Sequence, residues 1–170
     1  MEMNKQKHLK KRMFTWGALV VSTVVLLLFD LWLKYWAAFT MPGQPTQEVI
    51  PGILGLTYTI NTGAAFGIFG NFAWGRWGLT AVKIVLMAGL LWYYHRLPLK
   101  ASSWLVRVPL MLILAGGLGN LYDRVTLGYV RDMLAFSFVN FPIFNLADVY
   151  IVIGCFTSAF VILFIAKDIP

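Results

Sequence analysis

Four long apolar stretches divide the chain: Phe14 to Trp36, Gly78 to Tyr94, Trp104 to Tyr122 and Ile143 to Ala166. Each falls within the roughly 17 to 25 residues that an α-helix needs to cross the hydrocarbon core of a bilayer. With their flanks, the spans are placed at about 14–36, 76–94, 104–122 and 143–166, leaving about 37–75 and 123–142 as loops on one side. The first span is too long for the apolar region of a cleaved signal peptide and is read as an uncleaved helix. Its only charges, Asp30 and Lys34, stand four residues apart, on one helical face where they can pair.

Between the spans the pattern changes. Pro42, Gly43, Pro45, Pro51, Gly52 and Gly55 mark a loop. Within it Leu54, Leu56, Tyr58 and Ile60 alternate with smaller or polar residues, the period-2 signature of a short strand. Asn61 to Asn71 has little bulk and serves either to bring backbone close to a ligand or as a flexible re-entry loop. Trp74, Arg76 and Trp77 form an interfacial anchor, and Trp92 to Tyr94 the opposite aromatic belt. The run Met133 to Phe141 lies as a strand or at the interface. Lys83, inside the second span, faces the bundle interior or snorkels, and no function is assigned to it. These elements predict an all-α membrane protein: one integral domain, 1–170, of four transmembrane helices with a small extracytoplasmic β-strand and loop subdomain.

Composition strengthens this reading. Hydrophobic residues make up 59% of the chain, charged residues 12%, and the mean hydropathy is +0.74, outside the range of soluble domains. The net charge of +7 does not point to nucleic acid, because five of the fourteen Lys and Arg cluster between Lys5 and Arg12, ahead of the first span. By the positive-inside rule that cluster and the Arg96–Lys100 turn put both termini in the cytoplasm. One cysteine, Cys155, and two histidines, His8 and His95, supply neither a disulfide nor a metal site, and no cofactor is expected.

Under this topology Asp30, Lys34, Asn61, Arg76, Asn120, Asp123, Arg124, Asp132, Asn145 and Asp148 all map to the outer leaflet or its aqueous edge. Taken singly, Arg76 and Lys34 read as snorkelling side chains. Asp148 does not, since a short carboxylate placed about five residues inside a span needs a partner or a wet pocket. The chemistry left to such a site is that of paired carboxylates, in which one holds a proton while the other activates water against an amide. Asp123, Asp132 and Asp148 offer three candidates for two roles. A small ion- or proton-coupled transporter is the rival, but it calls for polar groups spread through the membrane depth, and here only Lys83 and Arg107 depart from the outer clustering.

The chain closely resembles the lipoprotein signal peptidases, bacterial signal peptidase II, in five places. These are Asp30 with Lys34, Asn61 to Phe66, Gly116 to Arg124, Gly128 with Val130 to Asp132, and Phe144 to Asp148. The resemblance implies a membrane-embedded aspartic endopeptidase of the bacterial inner membrane, acting at the outer leaflet as a monomer among membrane lipids. Its substrates would be diacylglyceryl-modified prolipoproteins. It implies catalysis by Asp132 and Asp148, a site lined by Asn61, Gly63, Asn120, Arg124 and Asn145, and structural roles for Asp30, Lys34 and Asp123. Leu33, Gly67, Arg131 and Val149 depart from the family pattern, Arg131 most notably, because a cation beside Asp132 would favour its ionised form. A catalytically inactive paralogue that only binds lipidated precursors is the remaining alternative.

Overall fold

The computed structural model describes residues 2–63 and 75–165. The order is α1 (Glu2–Thr40), β1 (Gln47–Ile50), β2 (Leu54–Asn61), α2 (Gly75–Arg96), α3 (Trp104–Thr126), β3 (Val130–Phe136) and α4 (Leu146–Phe160). A π-helical turn, Val161–Ile165, continues α4. Ala64 to Phe66, Gly67, Trp74 and the end of the fourth predicted span at Ala166 lie outside the described residues. Among those described, α1, α3 and α4 with its continuation are long and apolar enough to cross a membrane. The molecule is thus mostly helical with one three-stranded antiparallel sheet of order β1–β2–β3. One strand of that sheet, β1, lies in what the sequence pattern leaves as loop.

The central helix is α3, which packs against α1, α2 and α4. Its Ala-Gly-Gly-Leu-Gly stretch is the reason. A Cβ on Gly116 would collide with the Ala147 carbonyl of α4, and one on Gly119 would collide with the Asp30 carboxylate of α1. On a third side, a Cβ on Gly117 would lie 3.3 Å from the Met87 sulfur of α2. Small residues here let three backbones approach one helix, the usual device of membrane bundles. The first helix buries one face through Thr15, Leu19, Thr23, Asp30, Lys34 and Ala37, while Val20, Val21, Val25 and Leu28 on its other sides stay exposed. Exposed apolar residues on α2 and α4, such as Val85, Leu86, Phe156 and Leu163, extend the same outer surface.

The sheet sits at the C-terminal end of α1, where Ala37, Met41 and Met133 form a buried cluster with Leu56, Tyr58 and Leu134. Pro51 and Gly52, with Gly52 at φ 69° and the Ile53 amide donating to the Ile50 carbonyl at 2.9 Å, make the tight turn between β1 and β2. In the β2–β3 pairing Leu56 faces Leu134 and Thr59 faces Asp132, so a bulge puts one extra residue into β2. After β3, the Phe144 amide and carbonyl pair with Leu134, and the Phe144 carbonyl also accepts from the Met133 amide. That clasp delivers Asn145 and the start of α4 to the side of the strand.

Helix α4 begins at Leu146, three residues later than the predicted span. Asn145 is extended (φ −130°, ψ 176°) and caps the helix. Pro142 and a good N-cap residue end the preceding extended segment before the helix can start. Asp148 is therefore in the first turn, not about five residues deep.

Gly116→Ala and Gly119→Ala should each lower thermal stability in detergent by about 1–3 kcal/mol, the usual cost of overpacking. Gly17→Ala and Gly89→Ala, at helical positions where a Cβ meets nothing within 4 Å, should hold or raise it.

Candidate active site

Asp132 and Asp148 border one cavity of about 570 Å³. Asp132 comes from β3 and is 1% exposed, whereas Asp148, at the start of α4, is half-buried. The residue between them in space is Asn145. Its Nδ2 donates to Asp132 Oδ1 at 2.6 Å and to Asn120 Oδ1 at 3.1 Å, while its backbone amide donates to Asp148 Oδ2 at 3.3 Å. Asn145 Oδ1 in turn accepts from the Asp148 amide at 3.0 Å, completing a capping box. One asparagine thus holds both acids.

Each acid has a second amide. Asn120 Nδ2 donates to Asp148 Oδ1 at 2.7 Å, and Asn61 Nδ2 donates to Asp132 Oδ2 at 3.0 Å. The Gly63 amide donates to Asn61 Oδ1 at 3.1 Å and so turns the Asn61 NH2 toward the acid. Asp148 also sits at the N-terminus of α4, the end of a helix that stabilises negative charge. Asp132 has no helix end, and burial raises its carboxyl to about 6, against the downward pull of the Asn61 and Asn145 amides; the nearby Asp148 charge pushes it the same way as burial.

Behind the acids lies a buried ionic layer. Lys34 Nζ reaches Asp30 Oδ2 at 2.9 Å, Asn120 Oδ1 at 3.0 Å and Asp123 Oδ2 at 3.7 Å, with the Lys34, Asp30 and Asp123 side chains fully buried. Asp30 Oδ1 accepts from the Ala147 amide at 2.8 Å, fixing the first turn of α4 to α1. Lys34 therefore does not snorkel: it is a satisfied interior cation.

Arg131 resolves differently from the sequence reading. Neighbouring residues of a strand point to opposite faces, and its guanidinium turns away from Asp132 to grip Asp123, Nη2 to Oδ1 at 2.6 Å and Nε to Oδ2 at 3.2 Å. Its backbone amide also donates to Asp123 Oδ2 at 3.0 Å. Asp123 is thus an anchor between α3 and β3 and lies outside the cavity wall.

Arg124 Nη2 donates to the Gly63 carbonyl at 2.8 Å, while its buried Nε and Nη1 find no hydrogen-bond partner among the described residues. The guanidinium borders the cavity, as does Lys83. The sequence reading gave Lys83 no function, yet it faces the site from α2; an ionisable residue in mid-span is the signal that marks it. The rest of the wall is apolar. Phe136, Phe141 and Phe144 form a ring cluster with centroids 4.9 to 6.0 Å apart, and Val149, Val152 and Ile153 of α4 face it across the cavity.

A helical membrane bundle with paired acids in an apolar-walled cavity at one end defines a membrane enzyme. Two solved bacterial membrane enzyme structures, obtained by the in meso method at 2.3 and 1.9 Å resolution, are similar to most of the chain. Their TM-scores are 0.72 and 0.76 at 31% and 28% identity, covering 89% and 88% of this chain and 89% and 95% of theirs. Residues 22–164 match the family described as signal peptidase (SPase) II, and the chain belongs to that family, which makes it a peptidase. It is 39% identical over 137 residues to the lipoprotein signal peptidase of Streptococcus thermophilus, covering 81% of this chain and 86% of that one. The lipoprotein signal peptidases of Streptococcus agalactiae serotype V and Streptococcus pyogenes serotype M1 are 40% and 38% identical, over 79% and 86% of this chain and 84% and 90% of theirs.

The raised Asp132 carboxyl carries a sign that can be checked. With a folded value of about 6 against 3.8 unfolded, the folded state holds the extra proton between those values, so stability should fall as pH rises from about 4 to 6. The penalty, up to about 3 kcal/mol, is complete above pH 6. Thermal unfolding of Asp132→Asn across this window should lack that decline.

Proposed function

We propose that the chain is an aspartic endopeptidase that removes signal peptides from diacylated prolipoproteins, with Asp132 and Asp148 as its catalytic pair. The observation that carries the reading is Asn145, which touches both carboxylates and leaves both on the cavity. In this mechanism the Asp148 carboxylate takes a proton from a water between the acids, and the resulting hydroxide attacks the scissile carbonyl carbon. Asp132, protonated in its buried setting, gives its proton to the carbonyl oxygen. As the tetrahedral intermediate collapses, Asp148 protonates the departing amide nitrogen and a hydroxyl proton returns to Asp132, so the C–N bond breaks with both acids restored. An apolar substrate that fills the cavity expels water and holds the Asp132 proton more firmly.

Arg124 Nε and Nη1, which have no hydrogen-bond partner among the described residues, are suited to a backbone carbonyl of the bound peptide. Asn61 and Asn120 orient the acids from either side, and Gly63 orients Asn61. The apolar wall of Phe136, Phe141 and Val152 suits the substrate's hydrophobic flank, while its acyl chains stay in the bilayer.

In the membrane, the 22 residues of α2 make a fourth crossing beside α1, α3 and α4, at about 1.5 Å per residue. The domain, 1–170, is a single multi-pass unit in the bacterial inner membrane. Both termini are cytoplasmic, the site lies at the outer leaflet, and the protein works as a monomer surrounded by lipid.

Asp132→Asn and Asp148→Asn should each abolish cleavage of a diacylated prolipoprotein by the purified protein, by on the order of 10³-fold or more, with little loss of yield. Asp123→Asn should lower thermal stability along with activity. Substantial activity in Asp132→Asn together with none in a well-folded Asp123→Asn would put Asp123 in the pair instead. For topology, in a Cys155→Ser background a cysteine at Gln47 should react with an impermeant thiol reagent in intact cells. One at Ser102 should not, and the opposite pattern would invert the orientation.

A further inference from the structure

At the other end of the molecule a second cavity, of about 390 Å³, opens between the N-terminal part of α1, the turn after α2 and the start of α3. Lys10, Lys11 and Lys100 border it, with Phe14, Leu99 and Trp104 as its apolar wall. Arg107 forms part of the floor, but its guanidinium is occupied by the carbonyls of Tyr94 at 3.2 Å, Leu97 at 2.8 Å and Pro98 at 3.3 Å. The lysines are different: among the described residues no carboxylate borders the cavity and none of the three is in an ion pair. Among the described residues the three buried carboxylates, Asp30, Asp123 and Asp132, belong to the active-site end with Lys34, Arg131 and the asparagines, and the half-buried Asp148 lies at the same site.

Lys10, Lys11 and Lys100 are exposed at the rim, and three ammonium groups gathered on one cavity make a local positive field that favours an anion there. The wall adds a second requirement. Phe14 and Trp104 meet edge to face at 6.2 Å between ring centroids and continue directly into the apolar surfaces of α1 and α3. The occupant must therefore be an anion joined to a hydrocarbon body. Basic pockets between transmembrane helices at the headgroup level hold phospholipids of that kind. The site is remote from the dyad: Arg107 and Asn120 are 13 positions apart on α3, about 20 Å along the helix.

We infer that this cavity seats the headgroup of an anionic phospholipid, its phosphate among Lys10, Lys11 and Lys100 and its acyl chains along Phe14 and Trp104. The inference does not depend on which acids cleave the substrate. The test is lipid retention by the purified full chain in native mass spectrometry, titrated separately with dioleoyl phosphatidylglycerol, dioleoyl phosphatidylcholine and free glycerol phosphate. Phosphatidylglycerol should bind in preference to phosphatidylcholine, and glycerol phosphate should fail to displace it at matched concentration. The triple variant Lys10→Gln, Lys11→Gln, Lys100→Gln should bind phosphatidylglycerol on the order of a hundredfold more weakly while cleaving substrate in detergent as the parent does. A Lys5→Gln, Lys7→Gln variant, which removes equally exposed charge from the same helix outside the cavity, should retain the lipid. Equal binding of the two phospholipids, an unaffected triple variant, equal loss in the Lys5/Lys7 variant, or displacement by glycerol phosphate would each overturn the assignment.

Discussion

Everything at the active end of this protein depends on one ammonium group placed where water does not reach. Lys34 is fully buried and divides its charge among Asp30, Asn120 and Asp123. From those three groups contacts run outward to the elements that carry both acids: Asp30 to the first turn of α4, Asp123 to β3 through Arg131, and Asn120 to both Asp148 and Asn145. A buried ion pair gives little net stability, yet removing one partner strands a charge at a cost of about 3–5 kcal/mol. The layer therefore contributes alignment more than affinity between helices. It tells α1, α3, α4 and the sheet where each must stand relative to the others.

The acids inherit that alignment but occupy unlike settings. Asp148 sits at a helix N-terminus with amide donors on both oxygens, and Asp132 lies on a strand under apolar cover with two side-chain amides. Burial raises the Asp132 carboxyl above its ordinary value, and the apolar wall beside it limits the water that would reverse that shift.

Much of this was legible from residue order. The helices, three of them long and apolar enough to cross a membrane, the short strand before Asn61 and the gathering of polar groups at one end followed from length, periodicity and the placement of polar residues. What was not legible has physical reasons. The start of α4 depended on Asn145 adopting an extended backbone as a cap, a signal that is lost when the span is placed by average hydropathy from Ile143 onward. The direction of Arg131 depended on strand alternation in a segment whose strand character was ambiguous. Lys83 borders the cavity because α2 presents that face beside α3, and a helix whose apolar residues surround it on all sides does not reveal its rotation.

The bulge in β2 also accounts for the one place where the apolar alternation misleads. In a regular strand Leu54, Leu56, Tyr58 and Ile60 would share one face, yet Ile60 is 53% exposed. The extra residue between Leu56 and Thr59 reverses the parity of the strand, so that beyond it the odd-numbered positions share the Asp132 face. Asn61 reaches the acid only because of that reversal. Had β2 been regular, Ile60 would stand diagonal to Asp132 and the acid would face a hydrocarbon in place of an amide donor. The length of this short strand is consequently part of the candidate site: loss or gain of a single residue there would exchange a polar contact for an apolar one while every side chain of the site remained in the chain.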